Sequence, residues 1–214
     1  MTFRNRGYLP HLELPDSTFF VTFRLAGTLP QTILASFKEE RHLLSNIAQE
    51  QNRRLTLAEE ARLKYLETKK IQDYLDKGIG DCWLKVPAIA EIIKQAILFF
   101  HGSRYINHAF CIMPNHVHWL VTPGGASTND SKLITIMHSI KSFTAHQVNK
   151  QLQRTGSIWS KEYYDHLVRS SEEFGRLLVY TFENPVKAGL CKEWQDWPWT
   201  VCSKSISDAL DGSD

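Results

Sequence analysis

Hydrophobic and polar positions along the chain switch period several times, and each switch marks an element. Residues 17–25 (STFFVTFRL) are dense in β-branched and aromatic side chains and predict a strand, ended by Gly27 and Pro30. From Gln31 to about Lys77 the period becomes helical, with Ile33, Leu34, Phe37, Leu43, Leu44 and Ile47 approximating one apolar face. A polar break over 49–54 and a capping-box pattern, Thr56 with Glu59, predict a second helix carrying Leu63, Leu66, Ile71, Tyr74 and Leu75. Pro87 suits the first turn of another helix, which runs to about His101 with Ile89, Ile93, Ile97 and Phe100 on its apolar stripe. Residues 104–113 and 116–122 read as two strands joined at Pro114-Asn115, and a polar loop follows from Gly124 to about Asp130. A helix is expected over 133–151 with Ile134, Met137, Ile140 and Phe143 inward, then a strand near 163–168. Ser170 with Glu173 opens a last helix.

That order contains β-α-β-β-α-β. It predicts an α+β fold, a ferredoxin-like sandwich with a four-stranded antiparallel sheet. The helical hairpin over about 31–77 is inserted after the first strand, and its mixed charges read as a solvated face. Residues 1–16 read as an irregular lead-in. No linker or repeat divides the chain, so one domain over 1–203 is expected, with a polar, mobile tail over 204–214.

Composition narrows the function only a little. Of 214 residues, 43% are hydrophobic, enough for a core, and 22% are charged. No apolar run approaches the roughly 18–20 residues of a membrane span, and no apolar segment follows the basic N-terminus as in a secretory signal. Cys82, Cys111, Cys191 and Cys202 are scattered without zinc-ligand spacing and suit a reducing cytoplasm. The net charge of +2 announces no nucleic-acid binder, so that role would need a local patch.

The candidate chemistry lies on the third strand. His116 and His118 alternate with Val117, Trp119 and Val121, so both imidazoles point the same way, on the order of 6–7 Å apart. Paired imidazoles on rigid backbone begin a metal site; the plainer reading is two half-exposed strand histidines. On the last helix, Tyr180 and Asn184 are four residues apart on one face, with Arg176 a turn earlier. Pro185 disfavours helical geometry at Asn184, so a break is expected there. Asn184 then either caps the next turn or turns its oxygen to other use, and Tyr180 by default borders the core.

Met113-Pro-Asn-His-Val-His-Trp119, with Tyr180-x-x-x-Asn-Pro-Val-Lys-Ala-Gly-Leu190, resembles the IS200/IS605-like single-tyrosine transposases, closest to their REP-associated branch. Gly7-Tyr-Leu-Pro-His11, Val21-Thr-Phe-Arg-Leu25, Trp159-Ser-Lys-Glu-Tyr-Tyr-Asp165 and Trp197-Pro-Trp199 add to the likeness. The resemblance implies an HUH endonuclease that cuts and rejoins single-stranded DNA beside a palindromic hairpin. His116, His118 and Asn184 would hold Mg²⁺ or Mn²⁺, and Tyr180 would be the nucleophile of a covalent 5′-phosphotyrosine intermediate. Imidazole ligands favour Mn²⁺ over Mg²⁺. Lys141, Lys161, Arg169, Arg176 and Lys187 are candidate phosphate contacts, each also readable as surface charge. Trp159 and Trp199 could stack bases or pack the core. The resemblance implies a cytoplasmic, nucleoid-associated protein working as monomer or homodimer. Two other readings are a hairpin-binding protein without catalysis and a metal phosphoesterase that uses water in place of Tyr180.

Overall fold

The two central strands of the main sheet are buried along nearly their whole length and carry an apolar face that water cannot satisfy. In the computed structural model, which describes residues 2–6, 9–13, 17–65, 70–124 and 129–212, seven strands form two sheets. Strands β1 (Thr2–Arg6) and β2 (Leu9–Glu13) make an antiparallel hairpin where an irregular lead-in was expected. The main sheet comprises β3 (Phe19–Arg24), β4 (Tyr105–Ile112), β5 (His116–Pro123), β6 (Tyr164–Leu167) and β7 (Thr200–Cys202). Its order is β6-β3-β5-β4-β7, and every neighbouring pair is antiparallel. The fold is thus α+β with five strands rather than the expected four. The extra strand, β7, has three residues, too few to show a period.

Helices α4 (Pro87–Leu98) and α5 (Leu133–Gln151) cover one face of the sheet. Phe19, Val21 and Phe23 of β3 and Val117, Trp119 and Val121 of β5 meet Ile89, Ile93, Ile97, Met137 and Ile140 there. Phe143, expected inward, is 53% exposed, and Ile136, Thr144 and Val148 take the buried positions of α5. The opposite face receives α6 (Ser171–Lys187), whose first turn is closed by Ser170 accepting the Glu173 N–H at 3.1 Å. The Glu173 carboxylate returns to the Arg169 N–H at 2.8 Å, one residue earlier than a standard capping box.

The helix does not break at Asn184. Pro185 lies inside α6, and the helix ends on a Schellman turn: Leu190 N–H donates to Pro185 O, and Gly189, at φ +68°, donates to Val186 O. In the last turn, a proline sacrifices a single backbone bond. Burial of the Pro185 ring offsets that loss.

The insertion forms α1 (Gln31–Glu50), α2 (Leu57–Tyr65) and α3 (Ile71–Asp76). Thr56 and Glu59 cap each other reciprocally at the start of α2, and Arg62 pairs with Glu40 across α1 and α2 at 2.7 Å. Leu66, Gly7, Tyr8 and the 125–128 part of the polar loop lie outside the described residues. Trp83–Lys85 is a 3-10 turn. Just before it, Gly80 (φ +85°) abuts the Gly27-Thr28 turn so closely that a Cβ would come within 2.7 Å of Gly27 O. Residues expected as a mobile tail form α7 (Lys204–Asp211). No helix among the described residues is long and apolar enough to cross a membrane.

Candidate functional site

His116 and His118 are fully buried on the face of β5 that looks away from the α4/α5 core. Their Nε2 atoms stand 2.9 Å apart. Each ring is fixed from behind. The Asn115 amide donates to Leu75 O (3.1 Å) and Ile79 O (3.2 Å), so its oxygen must accept, and His116 Nδ1 donates to it at 2.7 Å. That leaves a lone pair on His116 Nε2, the tautomer a metal ligand needs. Thr22, cross-strand partner of His118, meets His118 Nδ1 at 2.9 Å and holds that ring from behind. Phe20 stacks on the His118 ring at 5.3 Å. Burial holds both imidazoles neutral, with the His116 pKa pushed down to about 3 and that of His118 well below the usual range.

At 2.9 Å the two Nε2 atoms are within hydrogen-bond distance of each other, the direction set by the tautomer of His118. The Gln72 amide stands over this pair, its Nε2 3.1 Å from His118 Nε2 and 3.4 Å from His116 Nε2. Asp76, one turn further along α3, brings a carboxylate oxygen to 3.9 Å from His116 Nε2. Asp76, His116 and His118 offer ligand atoms within 4.8 Å of one another and form a candidate metal triad. Two neutral imidazoles and a carboxylate fit a divalent cation of borderline character, Mn²⁺ better than Mg²⁺. Sequence reasoning missed Asp76 and Gln72. They lie some 40 residues before the histidines in a segment that reads as surface helix, and no local signal marks them.

Tyr180 packs its ring against His118, with centroids 5.2 Å apart at 70°, and against Phe20 at 5.8 Å. The histidines and the tyrosine thus come together within one chain. Desolvation, then the negative charge of Asp76, raises the phenol pKa, and hydrogen bonding with the Asn184 side chain opposes the rise. Asn184 is 2% exposed, and its Oδ1 is buried without a hydrogen-bond partner. An orphan acceptor of this kind is costly in an apolar interior and calls for a cation or a donor.

The basic candidates divide. Lys187 stands near the site, its Nζ 5.8 Å from the centroid of the Tyr180 ring. Arg176 is exposed on α6 and paired with Glu172 at 2.6 Å; Arg169 and Lys161 are exposed. Lys141 is committed elsewhere. It donates to Ser160 O (2.8 Å) and Lys161 O (2.9 Å) beside a cleft of about 310 Å³ between α5 and residues 157–163. Burial pushes its pKa down to about 8. Trp159 is 6% exposed, donates to Thr144 and tilts against Phe23, so it packs the core, where the half-buried Trp199 also contributes.

Comparison with known proteins gives this arrangement a context. Residues 88–177 match the family model described as Transposase IS200 like, a span that holds both histidines and stops short of Tyr180. A Haemophilus influenzae protein assigned as a REP-associated tyrosine transposase is 32% identical over 106 residues, 46% of this chain. The match spans 59% of that relative, less than two thirds of its length. The REP-associated tyrosine transposase of Escherichia coli K12 is 25% identical over 122 residues, covering 56% of this chain and 68% of the relative. A solved structure of a REP-associated tyrosine transposase bound to a REP hairpin superposes with a TM-score of 0.52 at 16% identity. It covers 96% of this chain and 88% of its own, a likeness of fold. By sequence over residues 88–177 and by fold over nearly its whole length, the chain is therefore similar to the IS200-like transposases, REP-associated tyrosine transposases among them.

Proposed function

We propose that the protein is a metal-dependent single-strand DNA endonuclease and strand transferase acting beside a palindromic hairpin. The observation that carries this reading is Tyr180 packed against His118, whose Nε2 shares one focus with His116 Nε2. A ferredoxin-like core, the strand order 4-1-3-2 among the four expected strands, supports it by providing a rigid floor for the site. His116, His118 and Asp76 or Asn184 would hold Mg²⁺ or Mn²⁺. When bound, the cation supplies charge neutralisation and polarisation at the scissile phosphate.

The protein's own groups do the rest. The Tyr180 phenol oxygen forms a bond to phosphorus as the bond from phosphorus to the 3′ oxygen breaks, and the phenol proton ends on that oxygen. A 5′-phosphotyrosine and a free 3′ hydroxyl result, and one phosphodiester replaces another, so the bond energy is kept for rejoining. Burial raises the phenol pKa, so Tyr180 enters the step protonated and its proton leaves with the 3′ oxygen. Lys187, beside the ring, is placed to offset phosphate charge, and the exposed Lys161, Arg169 and Arg176 could follow the strand. The protein would act on DNA in the cytoplasm, at the nucleoid, as monomer or homodimer.

One observation favours a hairpin-binding protein without catalysis: the Gln72 amide already occupies the focus of the histidines. Incubation with labelled single-stranded hairpin DNA and Mn²⁺ or Mg²⁺ separates the readings. A denaturant-resistant adduct, lost in Tyr180→Phe, in His118→Ala and with chelator, is expected. Metal-dependent cutting that survives Tyr180→Phe would mean hydrolysis by water. Binding of a panel of hairpins without cutting would put the binding reading first.

A further inference from the structure

The insertion reaches the histidines through α3, and its seat there is specific. Leu75 is 1% exposed, and the Asn115 amide that orients His116 also ties the end of α3, through Leu75 O and Ile79 O. This anchoring places Gln72 and Asp76, four residues apart on one helical face, over the imidazoles. Gln72 Nε2 lies 2.6 Å from Asp76 Oδ1 and 3.1 and 3.4 Å from the two histidine Nε2 atoms. An amide nitrogen has two N–H groups, and here one carboxylate oxygen and two imidazole nitrogens surround it. A half-turn about the terminal bond of the side chain puts Oε1 in place of Nε2. With both Nε2 atoms unprotonated, four acceptors, two nitrogens and two oxygens, then converge on one point. Such a set suits a cation and little else.

We infer that Gln72 is a metal ligand, supplied with Asp76 by α3, so that cation binding and docking of the insertion are one event. The inference rests on the reading that the histidine pair holds a divalent metal. It gives the insertion a part in the site. It also explains why α3 is held by Asn115 rather than by apolar contact alone.

The test is direct Mn²⁺ binding by the full chain, followed by the paramagnetic resonance of free Mn²⁺, for wild type, Gln72→Met, Gln72→Glu and His118→Ala. Gln72→Met keeps the length of the side chain without its oxygen and is expected to bind roughly tenfold more weakly. Gln72→Glu is expected to bind at least as tightly as wild type. Hydrogen exchange supplies a readout that needs no variant to fold: backbone amides of residues 71–79 are expected to slow when Mn²⁺ is added to wild type. Affinity in Gln72→Met equal to or above wild type would show the amide to be a competing lid and overturn the inference. Exchange at 71–79 indifferent to Mn²⁺ would do the same. Wild-type binding that needs His118 but not Gln72 removes the inference alone, whereas no His118-dependent binding removes the metal reading as well.

Discussion

The two faces of the central sheet are both buried, but by opposite means. Toward α4 and α5 the strands present Phe19, Val21, Phe23, Val117, Trp119 and Val121, a continuous apolar surface. Toward α6 and α3, strands β3, β4 and β5 present Phe20, Thr22, Arg24, Cys111, His116, His118 and Leu120, a mixed surface in which polar groups are buried beside apolar ones. Burying an apolar side chain contributes about 1.5–3 kcal/mol, whereas a buried polar group at best breaks even once its hydrogen bonds are made. The first face therefore accounts for stability. The second is held in place by it, and its polar groups are disposed for chemistry: each histidine has one nitrogen bonded behind and one aimed forward.

Substitutions on each face test this division. The largest effect belongs to the polar face. Tyr180→Phe is expected to cut adduct formation by at least about 10³-fold, in line with loss of other nucleophiles, with an unchanged thermal midpoint; persistence of the adduct on denaturing gels would remove Tyr180 from its role. On the apolar face, Trp119→Ala removes the largest fully buried side chain among the described residues and breaks the bond to Asn107 Oδ1. Urea denaturation is expected to show a loss of about 3–5 kcal/mol. A loss below 1 kcal/mol would mean the two faces do not differ as described.

Asn115→Ala links the faces to the insertion. It strips His116 Nδ1 and the Leu75 and Ile79 carbonyls of partners, for an expected cost of about 1–3 kcal/mol and weaker Mn²⁺ binding by calorimetry. His118→Leu should move stability at neutral pH by no more than about 1 kcal/mol while abolishing His118-dependent Mn²⁺ binding. A large destabilisation would make the histidine structural.

The smallest expected effect concerns Lys141, a cation at the edge of the apolar side. Its folded pKa, near 8, lies below that of the unfolded chain, so between about pH 8 and 10.4 the unfolded state holds the extra proton. Stability relative to Lys141→Met should therefore rise with pH across that window and stay level below it. Urea midpoints of both proteins between pH 7 and 10.5 check the sign, and a difference that falls with pH would contradict burial of the amine.

Much of this was legible in the sequence where a signal is local. Alternation within residues 116–122 put both histidines on one face and Val117, Trp119 and Val121 on the other, and capping patterns marked the starts of α2 and α6. Strand length, turn residues and helical stripes depend on neighbours a few positions away, and those neighbours are read directly. Pro185 shows the limit of that rule. Its local preference argues for a break, but burial and the Schellman turn outweigh it, which only the folded chain can decide. Lys141 looks like any surface lysine until α5 packs beside residues 157–163.

Tertiary structure alone decided what stands over the histidines. Gln72 and Asp76 are ordinary residues of a polar helix by every local measure, as are Glu39 and Glu60 beside them in composition. They become part of the site because Leu75 is buried and Asn115 grips the end of α3, contacts that span some 40 residues. The sequence by itself determined the paired imidazoles, the tyrosine four residues before an asparagine, and the strands that hold them rigid. Bringing these groups to a common point, and adding α3 to it, required long-range packing, whose energy is shared among residues with no mutual spacing to read.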